Sequence, residues 1–262
     1  MEEAAQDIFL KCPARFMSSM VGGEKMLRIE HLTKTFGEKK AVDDLSLHIA
    51  PGEIYGFIGH NGAGKTTTLK SVVGIQQFDS GEIYIGGVSI KLDPLACKKQ
   101  LAYIPDNPDL YDYMSGIKYL NFVADIFGVS ADARQEHIRR YADIFELTDD
   151  LAQPIAAYSH GMKQKLAIIS AWLHDPKLII MDEPFVGLDP KAAHLLKGMM
   201  REVCDNGGAI FFSTHVLEVA EKLCDKVAII KSGKLIRAGT MEEVKGDDSL
   251  EEVFLELEDT SC

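Results

Sequence analysis

The sequence predicts an α/β fold with a mixed sheet, an antiparallel β subdomain on its N-terminal side and an inserted α-helical subdomain. Three patterns carry this prediction. Short apolar runs suited to buried strands fall at residues 53–59, 178–181, 209–212 and 227–230, with helical stretches near 191–205 and 216–224 between the later ones. Ahead of them, residues 27–29 and 41–49 alternate apolar and polar side chains, as half-buried strands do. Between about 94 and 170 the apolar spacing becomes that of helices.

Taken in order, residues 1–26 stand apart. They hold Met17, Met20, Met26 and a Gly22-Gly23 pair without periodicity, and are expected to be a poorly ordered extension. A strand opens at residue 27, residues 36–40 form a turn, and a second strand over 41–49 stops at Pro51-Gly52. The run 53–59 reads as a buried strand, followed by a glycine-rich loop, a helix over 66–73 and a hairpin-like strand over 81–88. In the helical region Ile117, Leu120, Val123, Ala124 and Phe127 share one face, as do Ile138, Tyr141, Ala142 and Phe145. The main domain is expected to span 27–246, with its helical subdomain at about 94–170 and an acidic tail over 247–262. No repeat of solenoid period is present in the sequence.

The 262 residues suffice for one large domain with an inserted subdomain. Hydrophobic residues at 46% and charged residues at 26% exclude a wholly disordered chain. No apolar run approaches the roughly 18 residues of a membrane span, and the acidic opening Met1-Glu2-Glu3 is not that of a secretory signal. The formal net charge is −12, and nine of the 40 acidic residues lie from Glu242 onward. That tail reads as a solvated, partly helical end, and the acidic balance speaks against a nucleic-acid partner. Five cysteines (Cys12, Cys97, Cys204, Cys224 and Cys262) without a C-x-x-C fit neither a disulfide scaffold nor a zinc site. They suit a reducing, cytosolic compartment. Trp172 and the aromatic residues of the insert are expected in the core.

Gly59-His60-Asn61-Gly62-Ala63-Gly64-Lys65-Thr66 satisfies G-x-x-x-x-G-K-[ST] between an apolar strand and a helix. The glycines let backbone N–H groups close around phosphate, and the helix N-terminus adds its positive dipole end. Lys65 can bridge the β- and γ-phosphates, and the Thr66 hydroxyl can hold Mg²⁺. A P-loop nucleotide-hydrolase core follows from this. Asp182 and Glu183 end a second apolar strand, at the carboxyl edge where open parallel sheets bind ligands. Asp182 is then the expected Mg²⁺ holder, and Glu183 the group that polarises the attacking water.

With those residues in place the sequence resembles the ATPase subunit of an ABC transporter, over about residues 26–246. The phosphate loop extends to Thr67. Tyr158-Ser159-His160-Gly161-Met162-Lys163-Gln164 falls where the family has its signature, Gly187-Leu188-Asp189-Pro190 matches the D-loop, and Phe211-Phe212-Ser213-Thr214-His215 matches the switch-histidine segment. The order and spacing of these motifs carry the resemblance. It implies ATP and Mg²⁺ bound between two cassettes facing head to tail, as a homodimer or a heterodimer. Ser159 and Gly161 of one chain would then act on the γ-phosphate held by the other. It also implies that His215 contacts the γ-phosphate and orients water with Glu183, and that Asp189 links the two sites. Phe36 sits at the adenine-stacking position, or else belongs to the core, and Val42 is placed in the same pocket.

Two departures from the family pattern stand out. The common signature Leu-Ser-Gly-Gly-Gln is here Tyr-Ser-His-Gly-Met, which resembles the variant of bacterial export ATPases for drugs, antibiotics and polysaccharides. In Ala102-Tyr103-Ile104-Pro105-Asp106-Asn107-Pro108, aligned with the Q-loop, Asp106 replaces the usual Gln. Asp106 either ligates the metal itself or turns away and leaves that role to water or Asn107. The resemblance implies a subunit on the cytoplasmic face of the membrane that drives a separate permease, in the export direction. A soluble ATPase acting on ribosomes or DNA is the alternative. One cassette and a short insert argue against that alternative, and Glu183 argues against a module that binds ATP without turnover.

Overall fold

A computed structural model describes residues 25–259. The expectation for residues 1–24 lies outside them, while Met26 is already buried and donates its N–H to the Ile49 carbonyl at 2.8 Å.

The first sheet is antiparallel and has four strands. β1 (Leu27–Phe36) pairs with β2 (Lys39–Ile49) on one side and with β4 (Ser80–Ile85) on the other, and β5 (Val88–Ser89) pairs with β4. The second sheet has six strands. β3 (Ile54–Ile58), β6 (Leu101–Ile104), β7 (Leu178–Asp182), β8 (Ala209–Thr214), β9 (Lys226–Lys231) and β10 (Lys234–Thr240) run in the order β10-β9-β3-β8-β7-β6. All neighbours are parallel except β10 on β9, so the predicted mixed sheet is present.

Every residue of β3, β7 and β8 is buried, which is why these segments read as continuous apolar runs rather than alternations. Their two faces feed two cores. Tyr55, Phe57, Ile180 and Phe211 pack toward the antiparallel sheet and α1 (Lys65–Val72). Ile58, Met181, Ile210 and Phe212 pack toward α5 (His160–Trp172) and α6 (Pro190–Asp205). The period-two geometry of a strand thus holds both layers to one sheet.

The region expected to be helical over 94–170 is interrupted. α2 (Pro94–Gln100) is followed at once by β6, which pairs with β7 from Leu101 opposite Leu178 to Ile104 opposite Met181. A four-residue strand pressed against a helix leaves too short an alternation to show in a helical window. The projecting part consists of α3 (Gly116–Phe127) and α4 (Ala131–Ile144), whereas α5 returns to the sheet as a core helix.

The C-terminal end differs from a solvated tail. α7 (Leu217–Leu223) and α8 (Met241–Lys245) precede α9 (Leu250–Asp259), in which Leu250, Val253 and Phe254 are buried. The i, i+3, i+4 spacing places these three on one stripe, while Glu251, Glu252 and Glu256 face water. The high charge of the segment hides that stripe in composition alone.

Candidate active site

Strand order assembles the site. The phosphate loop leaves the carboxyl end of β3, Asp182 and Glu183 end β7, His215 follows β8 and Asp106 follows β6. β3, β8, β7 and β6 are neighbours, so four segments remote in sequence converge at one sheet edge.

The loop can take its shape only with glycine at two points. A Cβ at Gly59 would lie 2.5 Å from the Ile230 carbonyl oxygen, and one at Gly64, where φ is +112°, would lie 2.3 Å from that of Ala41. The loop closes on itself through the Ala63 N–H, which donates to the His60 carbonyl at 3.1 Å. Lys65 is buried beneath it and donates to the Gly59 carbonyl at 2.5 Å and to that of His60 at 3.3 Å.

Glu183 is the point of convergence. Its Oε1 lies 3.5 Å from Lys65 Nζ and 3.0 Å from His215 Nδ1, yet is buried without a well-aligned hydrogen bond. An acceptor held in that state is available to a water or a ligand. Its backbone sits at φ +48°, and its N–H donates to the Ser213 carbonyl at 3.2 Å and to Ser213 Oγ at 3.1 Å. The Ser213 hydroxyl in turn donates to the buried Asp182 Oδ1. Asp106 faces this pair of acids. Burial first, then the charges of Asp182 and Glu183, push its carboxyl above the usual range, while His160 and His215 pull it down.

A cavity of about 410 Å³ opens over the loop and the acids, lined by Phe36, Lys39, Ala41, His60, Asn61, Gly62, Gly64, Lys65, Thr66, Thr67, Asp106, Asp182 and Glu183, while His215 reaches Glu183 without being among the lining residues. Phe36 is half exposed there, with Lys34 Nζ 5.0 Å from its ring centre, so its face is free of the core. Val42 is not in this cavity: it is fully buried in the core under the antiparallel sheet, and Ala41 and Lys39 hold the lining positions. The one-residue offset follows from strand alternation, which turns Val42 inward and its neighbour out. Ala63 lines a smaller adjoining pocket with Ile230, Lys231 and Ser232. A separate cleft of about 440 Å³ between α3 and α4 is lined by five apolar and five polar residues, Arg134 and Arg139 among them, and has no carboxylate, so it offers none of this chemistry.

Three expected residues lie away from the cavity. Ser159 caps α5, its hydroxyl accepting from the Met162 N–H at 3.2 Å, and Gly161 is the second residue of the helix. Asp189 caps α6 by accepting from the Ala192 N–H at 2.8 Å, and pairs with Lys165 at 2.8 Å. The Lys165 hydrogen bond, with help from the cap, holds the Asp189 carboxyl below its usual range. Signature and D-loop touch within the chain: a Cβ at Gly187 would lie 2.5 Å from the His160 ring. Ser213 was not foreseen as a site residue. Its signal was its place in the strand before His215, facing the end of the neighbouring acidic strand.

Among the described residues no three His, Cys, Asp or Glu side chains are gathered as a ready set of metal ligands, and the fit to a cation rests on donor chemistry. Thr66, Asp182 and Asp106 offer oxygen alone, with Glu183 adjacent, which suits Mg²⁺.

A glycine-built loop on a helix N-terminus, facing two strand-end acids and a histidine, defines a nucleoside-triphosphate hydrolase site of the P-loop class. The sequence profile of the family described as ABC transporter matches residues 42–186. The ABC-type transporter ATP-binding protein EcsA of Bacillus subtilis is 33% identical over 237 residues, covering 88% of this chain and 96% of that protein. The Nod factor export ATP-binding protein I of Paraburkholderia xenovorans is 34% identical over 216 residues, covering 82% and 71%. A solved structure of the ATP binding subunit of an ABC transporter superposes with a TM-score of 0.86 at 34% identity, covering 89% of this chain and 99% of that one. The chain belongs to the ABC transporter family. It is an ATP-binding, ATP-hydrolysing transporter subunit.

Proposed function

We propose that this subunit hydrolyses ATP with Mg²⁺ at a site completed by a second cassette, and so drives a separate membrane permease in the export direction. The observation that carries the catalytic part is the meeting of Lys65 and His215 on one buried oxygen of Glu183. The loop N–H groups and Lys65 hold the β- and γ-phosphates, and the ring of Phe36 stacks on adenine. Mg²⁺, held by Thr66 and Asp182 with Asp106 beside them, would neutralise phosphate charge. Glu183 accepts a hydrogen bond from the attacking water, which places its oxygen in line with the γ-phosphorus. His215 keeps the Glu183 carboxylate turned toward that water and reaches the γ-phosphate. As the new P–O bond forms, the water passes a proton to Glu183 and the bond to the β–γ bridging oxygen breaks, giving ADP and phosphate.

Among the described residues no helix is long and apolar enough to cross a membrane. The proposed permease is the membrane-spanning partner, and this chain sits against its cytoplasmic face. Export is supported by the signature variant and by similarity to a Nod factor export protein. The test is a pull-down from detergent-solubilised membranes with tagged Glu183→Gln protein, ATP and Mg²⁺. Stoichiometric recovery of one integral membrane protein is the expected result; recovery of ribosomal or other soluble proteins alone would overturn the transport reading.

A further inference from the structure

The rim of the phosphate loop is in contact with the C-terminal helix. The ring of Phe254 on α9 meets the ring of His60 edge to face, with centroids 4.9 Å apart. His60 is the second residue of the loop, and its carbonyl is one of the two that receive Lys65. α9 is itself fastened at both ends. The Leu250 N–H donates to Glu221 Oε2 at 3.3 Å, and Lys231 Nζ donates to the Leu257 carbonyl at 3.2 Å. Ser249 and Glu252 cap its first turn reciprocally, at 2.8 Å and 3.2 Å. Behind the same loop, the Gly233 N–H donates to the Ala63 carbonyl at 2.8 Å. The loop is thus braced on its outer side by the β9–β10 turn and by one aromatic side chain from the chain's last helix.

We propose that Phe254 is a positioning residue for the phosphate loop, acting through the His60 ring to set how tightly the loop holds nucleotide phosphate. The loop must bring several N–H groups onto one anion, and that arrangement binds best when it is already formed. An edge-to-face pair fixes the His60 side chain, and with it the carbonyl that shares the Lys65 ammonium. Val253 supplies an internal control. It is buried on the same helix beside Phe254 and has no ring to set against His60, so its truncation reports on the packing of α9.

This inference rests on reading residues 59–67 as the ATP phosphate loop. The test titrates a fluorescent ATP analogue with Mg²⁺ into full-length wild type, Phe254→Ala, Phe254→Leu and Val253→Ala, and records melting temperature and steady-state hydrolysis for each. Loss of one aromatic pair predicts that Phe254→Ala weakens nucleotide binding about two- to tenfold. KM rises with it, while kcat at saturating ATP stays within about twofold. Phe254→Leu should recover most of the melting temperature but not the affinity, and Val253→Ala should lower the melting temperature with affinity unchanged. Amide exchange over residues 60–64 should be faster in both Phe254 variants than in wild type. Wild-type affinity in Phe254→Leu, or equal weakening by Val253→Ala, would overturn the proposal and leave α9 a packing element. If Phe254→Ala does not fold, Phe254→Leu decides alone. Failure of wild type to bind the analogue at all would instead remove the phosphate-loop reading, which Lys65→Ala tests separately.

Discussion

Glu183 combines features that a residue chosen only for packing would not. It holds φ at +48°, which for a non-glycine residue costs on the order of 1–3 kcal/mol, and it buries a carboxylate oxygen between the Lys65 ammonium and the His215 ring. Glu183→Gln keeps the shape and removes the charge. It should leave ATP binding intact and lower kcat by about 10²–10⁴-fold, measured by phosphate release under saturating ATP. Hydrolysis at the wild-type rate would take Glu183 out of the mechanism. Ser213 holds both acids, receiving the Glu183 N–H and donating to Asp182. Ser213→Ala leaves a buried carboxylate without that donor, so unfolding in urea should show a loss of about 1–3 kcal/mol. Asp106 stands where the resemblance in sequence leads one to expect Gln. Its neighbours Asp182 and Glu183 already disfavour its charge, so Asp106→Gln relieves repulsion while keeping an oxygen in reach. Hydrolysis should stay within about tenfold of wild type, and a larger loss, above about 1.4 kcal/mol in the barrier, would give the carboxylate itself a specific metal role. Most of these residues could be read from sequence because phosphate chemistry restricts what can stand in the loop and at the strand ends. Val42 could not: which of two adjacent residues lines the cavity depends on strand register, and the irregular pairing of β1 with β2 conceals that register.

At the scale of elements, long apolar runs were legible and short or charged elements were not. β3, β7, β8 and β9 declare themselves because burial on both faces leaves little room for polar residues. β6 is four residues long, and α9 carries its apolar stripe among acids, so neither presents a period long enough to recognise. The join between α5 and β7 shows how tightly the insert is tied to the sheet. The His174 ring stacks on Phe127 at 3.7 Å, at the end of α3, and its Nε2 meets the Leu101 carbonyl at the start of β6, 3.2 Å away. Burial pushes the His174 imidazole below its ordinary value near 6.5, against smaller opposing contributions from the Leu101 bond and Asp175. The unfolded chain therefore takes up this proton before the folded one does. His174 costs no stability above about pH 6.5, and becomes increasingly destabilising as the pH falls below it. His174→Phe keeps the stack and removes the titration. The drop in melting temperature between about pH 6.5 and 5 should be smaller in that variant than in wild type, and an identical drop would place the acid sensitivity elsewhere.

At the scale of the molecule, the two parts of the proposed composite site lie apart within one chain. Phe36, the phosphate loop, Asp182 and Glu183 line one cavity, while Ser159, at the N-terminus of α5, is not among its lining residues. A head-to-tail pair would bring the α5 terminus of one chain onto the nucleotide of the other, where its dipole end favours the γ-phosphate. Complementation tests this arrangement directly. Lys65→Ala spoils the loop and spares the signature. Ser159→Asp keeps a good helix cap but puts a negative charge where phosphate would approach. Each variant alone should be inactive, since every composite site in its homodimer lacks one half. A mixture should regain hydrolysis well above the sum of the two, because a mixed dimer holds one site built from an intact loop and an intact signature. If each chain completed its own site, mixing would restore nothing. The same experiment separates a composite site from a dimer that serves only to dock a permease, because in the latter case Ser159→Asp alone would remain active.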